Sequence, residues 1–208
     1  ENGLWSISTV RLTDEAGNER RLSAQELTTA GFTTGLTVSG TEDKETPTLE
    51  SLSFSATEVS TSSADASITI TANIKDDLSG LNDEITYSYI ELTNPSETTS
   101  VYGYPTTRTS GTNTEGSFEF NITIPQYSEN GLWSISTVRL TDEAGNERRL
   151  STQELTTAGL TTGLTVSGTE DKETPTLESL SFSATGVNTT NADASITITA
   201  NIKDDLSG

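Results

Sequence analysis

The sequence predicts an all-β protein, built of antiparallel β-sandwich domains arranged in tandem. Three observations carry that reading. Residues 1–80 recur at 129–208, a period of 128 with six differences; a repeat that long is a domain, not a 20–50-residue solenoid unit. Apolar and polar residues alternate over short stretches, the period of a half-buried strand. Helical periodicity is weak, and Ser and Thr make up 67 of the 208 residues.

Along one repeat the elements follow in order. Leu49–Ala56 is a short strand candidate. Ile68, Ile70, Ala72 and Ile74 alternate with Thr69, Thr71, Asn73 and Lys75, and give a second strand. Glu84–Leu92 is a third, with Ile85, Tyr87 and Tyr89 on one face. Phe118, Phe120, Ile122 and Ile124 alternate with Ser117, Glu119, Asn121 and Thr123 in a fourth. Leu132–Thr141 is a fifth whose apolar phase changes: Trp133 and Ile135 share one parity, Val138 and Leu140 the other. A bulge near Ser136, or burial on both faces, reconciles them. Glu147–Ser151 and Gly163–Ser167 are short strands, and Ala24–Ala30, repeated at Thr152–Ala158, is the one helical turn. Seven or so strands joined by Gly, Asn and Asp turns make a sandwich. Its expected core is Trp133, the Phe and Ile residues, and Tyr87, Tyr89, Tyr102 and Tyr104.

Ser39–Pro47, repeated at Ser167–Pro175, combines turn residues, charges and a Pro, and reads as a linker. Residues 43–170 then form one complete domain, 1–42 the C-terminal part of a preceding repeat, and 171–208 the N-terminal part of a following one. The chain is expected to be an excerpt of a longer array, a recombinant piece or the repeating portion of a filament. Four of the six differences between copies lie between residues 58 and 63, which reads as an exposed loop tip. Stacked domains make a rod that grows by roughly 40 Å per repeat.

Composition narrows the chemistry. The chain has 11 Lys+Arg, 31 Asp+Glu and a net charge of −20, with no Cys, His or Met. Nucleic-acid binding needs clustered cations and is not expected. No apolar run approaches the ~18–20 residues that span a bilayer. Thiol chemistry, Ser–His catalysis and ordinary zinc or copper sites lack their ligands. No pair of carboxylates stands apart in a way that suggests glycoside hydrolysis, and no enzyme activity is expected. The remaining donors, carboxylates, carbonyls and hydroxyls, are the ligands of hard cations such as calcium.

Two acidic loops could supply such a site: Lys75-Asp-Asp-Leu-Ser-Gly80 and Thr141-Asp-Glu-Ala-Gly-Asn-Glu147. In a seven-strand sandwich of the immunoglobulin type, the loops after the second strand and before the last lie at one end, beside the start of the first strand. There the chain carries Glu42-Asp43-Lys44-Glu45. Carboxylates gathered so closely repel, and a divalent cation reverses the sign. The expected ligands are Asp76, Asp77 and Asp142, then Asn146, Asp43 and Glu45. The competing reading is that both loops are ordinary turns, since Asp and Asn cap turns through their own backbone. Neither loop has the spacing of an EF-hand. Asn121-Ile-Thr and Asn188-Thr-Thr fit the glycosylation sequon, which a Ser/Thr-rich chain produces by chance. Tyr102, Tyr104 and Trp133 could stack on sugars or fill the core, and Arg148–Arg149 reads as a solvated strand face opposite acidic neighbours.

Thr48-Leu-Glu-Ser-Leu-Ser-Phe, Asp76-Asp-Leu-Ser-Gly, Ile124-Pro, Gly131-Leu-Trp-Ser-Ile and Leu140-Thr-Asp-Glu-Ala-Gly-Asn resemble the Ig-like tandem repeats of large bacterial surface and biofilm adhesins. The resemblance covers the whole 128-residue unit. It implies an extracellular or cell-surface Ig-like sandwich that acts as an extender, often stiffened by calcium. The expected function is structural, a stalk or filament segment whose partners are neighbouring repeats of the same chain. The alternatives are a module that binds carbohydrate or a host surface, and a fibre or sheath in which copies pack laterally through their edge strands. Exposed aromatics on a flat or concave face would favour the binding module.

Overall fold

The computed structural model describes residues 2–82 and 87–206. In chain order these form β1 (Gly3–Ser6), β2 (Thr9–Thr13), β3 (Glu19–Ser23), α1 (Ala24–Thr29), β4 (Gly35–Val38), β5 (Thr48–Phe54), β6 (Glu58–Ser60), β7 (Ala66–Lys75), β8 (Tyr89–Thr93), β9 (Ser100–Gly111), β10 (Glu115–Ile124), β11 (Gly131–Thr141), β12 (Glu147–Ser151), α2 (Thr152–Thr157), β13 (Gly163–Ser167), β14 (Thr176–Phe182) and β15 (Ile198–Lys203). The protein is all-β, with two six-residue helices among the described residues.

Strands β5–β13 make one curled sheet of order β5-β7-β10-β9-β8-β11-β13-β6, with β12 also paired to β11. Every pairing in it is antiparallel except β13 with β6, which is parallel. The curl runs through β9. Its first part, Ser100–Gly103, pairs with β8, and its second, Tyr104–Gly111, pairs with β10 across two register shifts. One strand therefore serves both halves of the sheet, which close on a single core. Ile70, Phe118 and Phe120 enter it from one half, and Ile90, Trp133 and Leu164 from the other. Trp133 is buried, and its indole Nε1 donates to the Glu129 carbonyl at 2.9 Å, so its one polar atom is satisfied.

The alternation in β7 and β10 places Ile68, Ile70, Ala72 and Ile74, and Phe118, Phe120, Ile122 and Ile124, inside. In β11 the pairing to β8 shifts register between Ile135 and Thr137, so Trp133, Ile135, Val138 and Leu140 are all buried. This is the bulge expected near Ser136. Other expectations are corrected. Among the described residues the module has nine strands rather than the seven or so expected, because β6 and β9 were not expected. The tyrosines do not build the core. β8 begins at Tyr89 and turns Ile90 and Leu92 inward, while Tyr87 and Tyr102 are exposed and Tyr89 and Tyr104 half-buried. Of the expected strand from Glu84, residues 84–86, with Ile85, lie outside the described ones. Residues 58–63 are not simply a loop tip. Glu58–Ser60 is β6, and the positions that differ between copies, 58, 60, 62 and 63, are exposed, whereas Val59 is half-buried and Thr61 buried.

The flanking segments repeat parts of this unit. β1, β2, β3, α1 and β4 correspond to β11, β12, α2 and β13, and β14 pairs with β15 as β5 does with β7. Most of their large apolar residues lie open, Leu27 under α1 being buried: Trp5 is 55 % exposed, whereas its counterpart Trp133 is 1 % exposed. Gly40–Pro47 carries no strand or helix.

Candidate metal centre

The two acidic loops are zipped to one another. Leu81 bridges Asp142, Glu143 N donates to the Gly80 carbonyl at 2.9 Å, and Asn82 N donates to the Thr141 carbonyl at 2.8 Å. The first loop turns on Asp76, whose Oδ2 accepts from Gly80 N at 2.6 Å and Leu78 N at 3.3 Å. Gly80 is required there. Its φ is +86°, and an added Cβ would lie 2.8 Å from the Asn113 Cβ. The second loop turns on Asp142, which is fully buried and spends both oxygens inside the loop. Oδ1 accepts from Asn146 N and Oδ2 from Asn146 Nδ2, each at 2.7 Å.

The start of the module joins both loops. The Asp43 Oδ2 accepts from Ser79 N at 2.8 Å, and the Asp43 carbonyl accepts from Asn146 Nδ2 at 3.2 Å. Carboxylate oxygens of Asp43, Asp76 and Asp77 lie within 4.8 Å of one another. Asp76 is 6 % exposed and its Oδ1 has no hydrogen-bond partner; the Asp43 Oδ1 is buried and also without one. Leaving a buried acceptor unsatisfied is costly, and two such oxygens beside a third carboxylate form a cradle a cation would complete.

The electrostatics are divided. The hydrogen bond from Ser79 is the main cause that holds the Asp43 carboxyl below its ordinary range. Asp77, itself exposed, is pushed up, first by the loss of some water around its carboxyl and then by the charges of Asp43, Asp76 and Glu45. Of the six residues expected as ligands, three converge: Asp43, Asp76 and Asp77. Asp142 and Asn146 stand next to them as the support that positions the Asp43 carbonyl. Glu45 is exposed and outside the group. The same arrangement recurs 128 residues on, as Asp171, Asp204 and Asp205. There Asp171 N donates to the carbonyl of Tyr127, itself at φ +65°, so the second group begins on a residue bonded to the preceding module.

Other candidates resolve differently. Asn121 accepts from the Thr69 hydroxyl and donates to that of Thr106, while Asn188 is exposed. Arg149 pairs with Glu147 on its own strand and Arg148 with Glu154 on α2; the residues opposite them on β11 are Arg139 and Leu140 rather than the acidic ones expected.

A β-module that encloses one core and gathers its first residues and two acidic loops into a single clasp is the class this chain defines. Residues 42–166 match the family described as "Domain of unknown function (DUF7035)", and the chain belongs to that family. Neither the curated proteins nor the solved structures gave a match.

Proposed function

We propose that the chain is a segment of an extracellular stalk of tandem Ig-like β-sandwich modules, with a structural rather than catalytic role, and that calcium stiffens each module at Asp43, Asp76 and Asp77. The observation that carries the metal is the unpartnered Oδ1 of buried Asp76, with a second unpartnered oxygen on Asp43 and carboxylate oxygens of Asp43, Asp76 and Asp77 within 4.8 Å of one another. Calcium takes 6–8 oxygen ligands, and three carboxylates with nearby water meet that need. The stalk is supported by the near-identical repeat, by the site's reappearance at the same spacing and by its dependence on a linker residue. Without the ion, three carboxylates repel across the joint between linker and module; with it, the linker is tied down.

Thermal unfolding in 2 mM calcium and in excess EGTA tests this. A ligand that binds only the folded state raises the melting temperature by mass action, by roughly 10 °C at about one hundred times its Kd. Asp76→Asn is expected to abolish the difference. Coincident melts of the native protein would remove calcium from the reading.

A further inference from the structure

We propose that the outer face of β12, β11, β8 and β9 is a binding platform for a neutral polysaccharide. The register places its side chains. Arg149 stands opposite Arg139, and Arg139 opposite Tyr89, making one row across three strands. Ser151 stands opposite Thr137, Thr137 opposite Glu91, and Glu91 opposite Tyr102, making the next row across all four. Rows on one face of a sheet lie about 7 Å apart. The inward parity of the same strands is apolar, with Val138, Ile90 and Leu92 buried, so the sheet holds this outer face in place.

The rings are fixed before any ligand arrives. Tyr89 and Tyr102 meet edge to face with centroids 5.6 Å apart. The Arg139 guanidinium lies 5.8 Å from the centre of the Tyr89 ring, and the Tyr102 hydroxyl donates to Glu91 Oε1 at 3.0 Å. Tyr102 is nevertheless 45 % exposed, and Tyr87, where the chain enters β8, is 44 % exposed. Exposed tyrosine ring surface bordered by a carboxylate, guanidinium groups and hydroxyls suits a polyhydroxylated ring. The CH face of a sugar packs on tyrosine, and its hydroxyls find both acceptors and donors at the margin.

Charge selects the kind of polysaccharide. On a chain of net charge −20, this face carries Arg139 and Arg149 against Glu91 and Glu147, which sum to zero. Glu147 is already shared between the two arginines. A polyanion would meet no surplus of positive charge here and repulsion from the rest of the chain. A neutral chain meets neither. The platform is separate from the acidic clasp and does not rest on the calcium reading.

Affinity electrophoresis of the full chain tests the platform, in native gels that contain hydroxyethyl cellulose, xyloglucan, galactomannan, dextran or, as the polyanion, alginate. At least one neutral polymer is expected to retard the protein. Tyr102→Ala is expected to weaken that retardation about tenfold while lowering the melting temperature by only a few degrees, so that the protein stays folded in the gel, Glu91→Gln to weaken it severalfold, and Tyr102→Phe to retain it. The proposal is overturned by no retardation in any neutral polymer, by retardation in alginate alone, or by retardation that Tyr102→Ala leaves intact. Sedimentation equilibrium adds one more outcome: self-association that Tyr102→Ala abolishes would assign the face to a second copy of the chain and overturn the polysaccharide.

Discussion

Asp76 and Asp142 occupy similar turns and do different things. Both cap a loop through a Gly or Asn four residues on, as the sequence suggests for either. Asp142 gives both oxygens to Asn146; Asp76 gives one and keeps the other free. Turn capping and metal ligation use the same atoms in the same motif, so the motif alone does not separate them. What separates them is the approach of Asp43, which comes from 33 residues before Asp76 and is a matter of topology. The sequence therefore named all three converging carboxylates but ranked Asp142 above Asp43. Asp77 gives this arrangement a pH signature. In the ion-free protein its carboxyl is pushed up by the loss of some water around it and by Asp43, Asp76 and Glu45. The folded state then binds its proton more tightly than the unfolded state does, so this contribution to stability grows as pH falls into the range just above the ordinary aspartate value. Asp43 and Glu147 are held low, by Ser79 and by Arg149 respectively, and act with the opposite sign. Their stabilisation is complete above the ordinary carboxylate range and is lost only below it. Melting curves in EGTA between pH 7 and pH 5 are expected to show a small rise, which Asp77→Asn removes. In saturating calcium the same titration is expected to lower the melting temperature, because protons compete for the ligands.

At the scale of elements, strands with a clean alternation were legible, as were the phase-changing β11 and the short β12 and β13, whereas β6 and β9 were not. β7 and β10 each present four apolar residues on one face, and both stand where the pattern puts them. β9 reads Ser-Val-Tyr-Gly-Tyr-Pro-Thr-Thr-Arg-Thr-Ser-Gly, with Pro and Gly inside it and a polar second half. It exists because β8 and β10 each claim part of it, and Pro105 sits beside one of the register shifts, where a missing donor is tolerated. β6 is three residues long and depends on β13, more than a hundred positions away. The helical turn was legible, and α2 carries a reciprocal capping box: Ser151 Oγ accepts from Glu154 N, and Glu154 Oε2 accepts from Ser151 N. Ser151→Ala is expected to cost about 1 kcal/mol, read as a melting temperature lower by a few degrees. Leu155, fully buried beneath the turn, keeps the helix docked in that variant.

At the scale of the molecule, the repeat predicted a module and the sheet order shows how its ends are disposed. β5 starts with Thr48 beside Lys75, where β7 finishes. β6 and β13 finish together at Ser60 and Ser167, just before β7 begins. The chain therefore enters at the clasp end and leaves at the other. Its last strand runs parallel to β6, tied by Thr165 N to the Thr57 carbonyl and by Thr61 N to the Ser167 carbonyl. Tension along such a chain would drag β6 one way and β13 the other along their own axes. The bonds between them would share the load and fail together, rather than one after another as in a hairpin opened from its tip. Drawn out by its ends, a string of these modules is expected to yield in discrete ruptures, each releasing roughly 400 Å of chain. Thr61→Pro, which deletes one of the shared donors, is expected to lower the rupture force measured by single-molecule pulling. A parallel pairing of only three residues would thus act as a mechanical fuse, and its place at the exit of the module would set how much pull a string of such modules withstands.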